Sequence, residues 1–110
     1  MSDEATASDR IVVYVTAPPA EAPAIARALV ERRLAACANI IPSIRSIYSW
    51  KGEICDDEEA LLVIKTRRAL FDALRAAVVE LHSYEVAEVI ALPIVAGNPP
   101  YVAWIDEMTS

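Results

Sequence analysis

Residues 36–65, ACANIIPSIRSIYSWKGEICDDEEALLVIK, decide the fold. Ile40, Ile41, Ile44, Ile47, Tyr48 and Trp50 are β-branched or aromatic, and they run to Lys51-Gly52, a dipeptide suited to a tight turn. A second run returns from Glu53 to Lys65 and ends in the apolar block Leu61, Leu62, Val63 and Ile64. Pro42 lacks a ladder donor and marks an edge position or a bend. The acidic residues Asp56, Asp57, Glu58 and Glu59 interrupt the return strand, and a solvated bulge there would blunt the hairpin edge. About fourteen extended residues span roughly 45 Å, two to three times an ordinary strand. A hairpin of that length outruns the helix layer that one small domain can lay over it. Its distal half, with Tyr48 and Trp50, is therefore expected to associate with other subunits.

The flanking segments complete the pattern. Residues 10–16 contain the near-continuous run Ile11, Val12, Val13, Tyr14 and Val15, which reads as a central strand closed by Pro18-Pro19. A helix is expected over 20–34, with Ile25 and Leu29 four apart and Pro23 tolerated in the first turn. Thr66 is the expected cap of a second helix over 68–82, striped by Leu70, Leu74, Val78 and Leu81. A fourth strand over 87–92 stops at Pro93. Pro99 opens a short closing helix carrying Tyr101, Trp104, Ile105 and Met108. The order β-α-β-β-α-β plus a terminal helix predicts an α+β, ferredoxin-like split βαβ fold: an antiparallel sheet with both long helices on one face. Residues 1–9, polar and acidic, are expected to be a frayed tail, and residues 10–110 a single domain.

Composition narrows the function. An apolar content of 55% in 110 residues is high for a small domain, whose surface is large for its volume, and implies a covered apolar face. The net charge of −6 disfavours nucleic acid and anionic membranes as partners, since both require clustered basic residues. There is no apolar run long enough to cross a bilayer and no signal-peptide pattern in the first nine residues, so the expected compartment is the cytoplasm. Two glycines do not make a phosphate-cradling loop, and no CxxC or HxxxH pair specifies a closed zinc site. No enzymatic activity is expected.

Three groups of residues could carry chemistry. Cys37 and His82 supply a thiolate and an imidazole, ligand types that soft and borderline transition metals prefer. From the residues alone the favoured account is a small buried core residue and a helix-ending cation. The acidic run beside Cys55 could attract a hard cation, but consecutive strand residues point to opposite faces. His82, Tyr84, Glu85 and Glu88, between the second helix and the last strand, could line a pocket or form an ordinary turn.

Several strings are more specific. LAACANII from Leu34 to Ile41 resembles the LAAC-x-N segment of the CutA family of divalent-cation tolerance proteins, and SIYSWKG from Ser46 to Gly52 is similar to its hairpin tip. LVIKT (62–66) resembles its third strand, and HSYEVAEVIALP (82–93) its H-P-Y-E-V-P-E-I-I-A-L-P signature, with Ser83 and Ala87 in place of two prolines. The resemblance continues through residues 97–101, Trp104 and Ile105. It implies a homotrimer joined through strand pairing, acting in tolerance of copper or another divalent metal, with no cofactor required for folding. By position it implies Cys37 and His82 as metal contacts, and Tyr48, Trp50, Lys65, Tyr84, Glu85 and Glu88 around clefts between subunits. The alternative is a trimeric small-molecule sensor or scaffold with a ligand in those clefts. Cys55 receives no role.

Overall fold

Along the first strand Ile11, Val13 and Val15 are buried while Val12 and Tyr14 are only half-buried, and this alternation divides the whole sheet into two faces. The computed structural model describes residues 9–110. In it, β1 (Arg10–Ala17), α1 (Ala22–Glu31), β2 (Cys37–Trp50), β3 (Glu53–Arg67), α2 (Phe71–Leu81), β4 (Val89–Pro93) and α3 (Pro99–Met108) follow one another, with a 3-10 turn at Arg68–Leu70. The strands lie in the order β2-β3-β1-β4 and every pairing is antiparallel. This is the expected α+β, ferredoxin-like arrangement.

The core forms on the helix-covered face. Val13 and Val15 of β1 stand opposite Ile64 and Leu62 of β3 and, on the other side, opposite Ala91 and Val89 of β4. Ile25 and Leu29 of α1, with Leu74 and Val78 of α2, close over them. The opposite face carries Tyr14, Asn39, Ile41, Val63, Ile90 and Leu92 by the same registers. α3 covers one end of it: Arg10 is ion-paired with Asp106, and Arg67 Nε donates to Thr109 Oγ1 at 2.9 Å. Ile41, Ile90 and Leu92 remain exposed on this face.

Four local expectations are corrected. α1 ends at Glu31 rather than Leu34, because Arg33 takes a left-handed conformation (φ 59°) and the N–H groups of Leu34 and Ala35 both return to the Leu29 carbonyl. Thr66 does not cap α2. It lies inside β3, fully buried, and its hydroxyl donates to the Leu34 carbonyl at 2.7 Å. The acidic run does not interrupt β3; the irregularity lies across from it, where Pro42 and Ser43 of β2 face only Ala60. The proline therefore sets the bend, as its missing N–H allows. β4 starts at Val89, two residues late, and includes Pro93, which an edge strand tolerates. Of the tail expected over residues 1–9, only Asp9 is described, and its carbonyl accepts from Arg68 N–H; the rest lies outside the described residues.

Candidate functional site

Beyond the bend at Pro42 the hairpin leaves the sheet and continues as a two-stranded ribbon. Tyr48 stands opposite Cys55, and Ser46 opposite Asp57, on one face of that ribbon. The Tyr48 hydroxyl reaches diagonally to donate to Asp57 Oδ2 at 2.5 Å. That bond, with smaller contributions from burial and neighbouring negative charge, raises the phenol to about 12. Glu59, two residues further along the same face, is a buried carboxylate at 6% exposure. It accepts a hydrogen bond of 2.9 Å from the Tyr84 hydroxyl, and burial together with that bond pushes the Tyr84 phenol well above its ordinary range. Both tyrosines are thus fixed as neutral donors to carboxylates.

Tyr84 is positioned by His82. The imidazole is 8% exposed, and its Nε2 lies 2.6 Å from the Thr16 carbonyl at the end of β1. A carbonyl only accepts, so the proton is on Nε2, which leaves Nδ1 to accept from the Tyr84 backbone N–H at 3.1 Å. The two rings meet at 4.5 Å. One histidine at the end of α2 therefore ties β1, the following loop and Tyr84 together.

These elements surround an open cavity of about 450 Å³. Tyr48, Trp50, Glu59, Tyr84, Glu85 and Glu88 are prominent in its wall: three aromatic rings and three carboxylates, with no positively charged side chain in the lining. At its rim Lys51, held at the turn with φ 50°, places its ammonium 3.2 Å from Glu85 Oε2 and 5.5 Å from the centre of the Trp50 ring.

The sequence-predicted residues thus divide. Tyr48, Trp50, Tyr84, Glu85 and Glu88 come together at the cavity. Lys65 does not: it stands opposite Cys37 at the other end of the open face, hydrogen-bonded to Asn39. Cys37 and His82 are not brought together either. Cys37 is level with Val12, across Lys65, and His82 is bonded at Thr16, so four residue steps, or about 13 Å along the strands, separate them. Both nitrogens of His82 are engaged, and among the described residues no three His, Cys, Asp or Glu side chains converge in a way that could hold a metal ion. The expected Cys37–His82 metal pair does not fit this chain taken alone, because the fold uses the histidine as a strut. Cys37 itself is half-buried beside Tyr101 of α3, whose phenol is raised by burial and, to a lesser degree, by that thiol.

Sequence reasoning misses Glu59 and Lys51. Glu59 sits in what reads as a solvated acidic run. The signal that distinguishes it is its spacing of two from Asp57, which puts it on the Tyr48 face and nearer the sheet. Lys51 reads only as a turn residue.

A ferredoxin-like chain with an overlong β2–β3 ribbon, and an aromatic and acidic cavity where that ribbon leaves the sheet, defines a narrow class of small α+β proteins. Residues 11–108 match the profile of the CutA1 divalent ion tolerance protein, and the chain belongs to that family. It is 56% identical over 97 residues to "Protein CutA" of Mus musculus, covering 87% of this chain and 55% of the mouse protein. It is 47% identical over 110 residues to "Protein CutA 1, chloroplastic" of Oryza sativa subsp. japonica, covering 99% of this chain and 62% of the rice protein. The chain thus spans little more than half the length of these relatives. The solved divalent cation tolerance protein of Thermus thermophilus superimposes with a TM-score of 0.89 at 48% identity, over 92% of this chain and 99% of that one. No helix among the described residues is long and apolar enough to cross a membrane.

Proposed function

We propose that the chain acts in divalent-cation tolerance as a cytoplasmic homotrimer without catalytic activity, and that Cys37 contributes to binding copper or another divalent metal with donors from a neighbouring subunit. The observation that carries the assembly is the ribbon. Ile47 and Ile54, on its outer surface, are 65% and 77% exposed, and the open sheet face adds Ile41, Ile90 and Leu92. The molecule measures 49 Å along its longest axis against 25 and 22 Å across, so the ribbon projects where a single subunit cannot cover it. Neighbouring copies of the chain would bury these edges. Cys37 lies on the same face, half-buried beside Tyr101, where donors from an adjacent subunit would complete a soft-metal site built from one cysteine per chain. The two cysteines are free, as a reducing compartment would keep them.

Native mass spectrometry of the reduced protein, titrated with copper, tests this reading. A trimer with saturable metal uptake that Cys37→Ala abolishes is the expected result. A monomer, or uptake unchanged in Cys37→Ala, overturns it.

A second reading, a trimeric scaffold that senses a small molecule, is favoured by one observation. The cavity has the volume of a small-molecule site, and its aromatic walls are locked by the Tyr84–Glu59 and Tyr48–Asp57 bonds.

A further inference from the structure

The polarity of the cavity restricts what it can hold. Three carboxylates and three aromatic rings with no cationic side chain in the lining make an environment of one sign, which repels anions and attracts positive charge. Rings add to this, because a cation over an aromatic face within about 6 Å of its centre is attracted by the ring quadrupole. Glu59 is already satisfied by Tyr84, whereas Glu88 has no partner among the described residues. The carboxylates do not converge tightly enough to chelate a bare metal ion. The arrangement suits a larger, softer cation that uses rings and carboxylates together.

The chain supplies its own example. Lys51 holds a primary ammonium against the Trp50 ring and the Glu85 carboxylate at the cavity rim. The contact places an alkylammonium group at this corner, with Lys51 and Glu85 both still exposed to solvent. It also means that a tethered copy of that group competes for it.

We propose that the cavity binds organic ammonium compounds, with Trp50 and Glu85 receiving the ammonium and Lys51 acting as a built-in competitor that an incoming ligand displaces. This rests on the second reading above, that the cavity is a ligand site. A tethered competitor lowers apparent affinity by the fraction of time it occupies the site, so its removal must tighten binding.

The test is isothermal titration of the protein, in its native assembly, with putrescine and with tetramethylammonium. Binding is also followed by fluorescence of Trp50 in a Trp104→Phe background. One saturable site per chain is expected. Lys51→Asn tolerates the left-handed backbone at this turn and should tighten putrescine binding about threefold, while Glu85→Gln should weaken it by a similar factor. Arg27→Gln removes a positive charge from the exposed surface of α1 and should change affinity less than about twofold. Equal affinity in Lys51→Asn and the parent chain, or equal tightening by Arg27→Gln, overturns the proposal, since the effect would then be absent or merely long-range. The same titration with magnesium and with citrate separates the two levels of inference. If either one saturates the cavity and shifts Trp50 fluorescence while the ammonium probes do not, the cavity is a ligand site and the ammonium assignment is wrong. If none binds, both fall, and a neighbouring subunit fills the space.

Discussion

The two halves of the β2–β3 hairpin are offset by one residue where Pro42 and Ser43 face Ala60, and they live in different surroundings. Below the bend at Pro42, Ile40 and Ala38 of β2 stand opposite Leu62 and Ile64 of β3, and those two β3 residues are fully buried beneath the helices. Above it, among the described residues, the ribbon has no third strand paired to it and no helix covering it. Its order comes from cross-strand side chains, Arg45 to Asp56 on one face and Tyr48 to Asp57 on the other. The near half is held by burial and the far half by pairing. Burial is worth several kcal/mol per large side chain and exposed pairs are worth little, so the far half must draw its permanence from elsewhere.

The largest expected effect follows from the buried half. Leu62→Ala removes a side chain with no solvent exposure from the centre of the core and should cost about 2–5 kcal/mol, read as a lower urea midpoint at fixed protein concentration. Ile54→Ala, of similar volume loss on the ribbon, should leave the isolated subunit nearly unaffected. Ile54→Ala proving as costly as Leu62→Ala would mean that neighbouring copies bury the ribbon as deeply as the core, and the contrast between the halves would then hold only within the single chain.

The second effect is on assembly. Trp50→Arg puts a charge where an aromatic ring now sits at the end of β2, and should shift sedimentation toward smaller species with little change in the far-ultraviolet circular dichroism. An unchanged oligomer of unchanged thermal stability would sink the claim that the ribbon tip packs against other subunits.

The sequence reveals these two halves unequally. Burial leaves periodic marks, and the strand beside the near half and the two helices that cover it follow from Val13, Val15, Ile25, Leu29, Leu74 and Val78. The excess length of residues 36–65 is equally plain. What the pattern conceals is which residues long-range geometry puts to use. His82 looks like a metal ligand or a helix end, but becomes a strut only when β1 brings the Thr16 carbonyl 66 positions away to its ring. Thr66 has the chemistry of a cap and the register of a strand; the buried Leu34 carbonyl it must satisfy is not visible nearby in sequence. Glu59 is hidden inside a run of four acids because composition reports the charge of a segment and not the face each side chain takes. Local propensity competes poorly with partners more than twenty residues away, and all three of these residues have such partners.

The smallest effect concerns what holds the ribbon between its ends. Arg45 makes a two-pronged contact with Asp56, Nε to Oδ1 at 2.8 Å and Nη2 to Oδ2 at 2.6 Å, and this hydrogen-bonded cation holds the Asp56 carboxyl below its ordinary value. The stability it contributes is therefore fully present above the unfolded carboxylate value, about 4, and is lost as pH falls through the lower folded value. The pair lies at the surface, so the effect on global unfolding should be slight, and carbon-detected titration of the Asp56 carboxyl is the sensitive measurement. In the parent chain Asp56 should titrate below an ordinary aspartate; in Arg45→Gln it should return to that range, and added salt should move the parent value the same way. An ordinary value in the parent chain would mean that the pair does not persist in water. The ribbon's cross-strand contacts would then be too weak to shape it, and contact with neighbouring subunits would have to order the far half by itself.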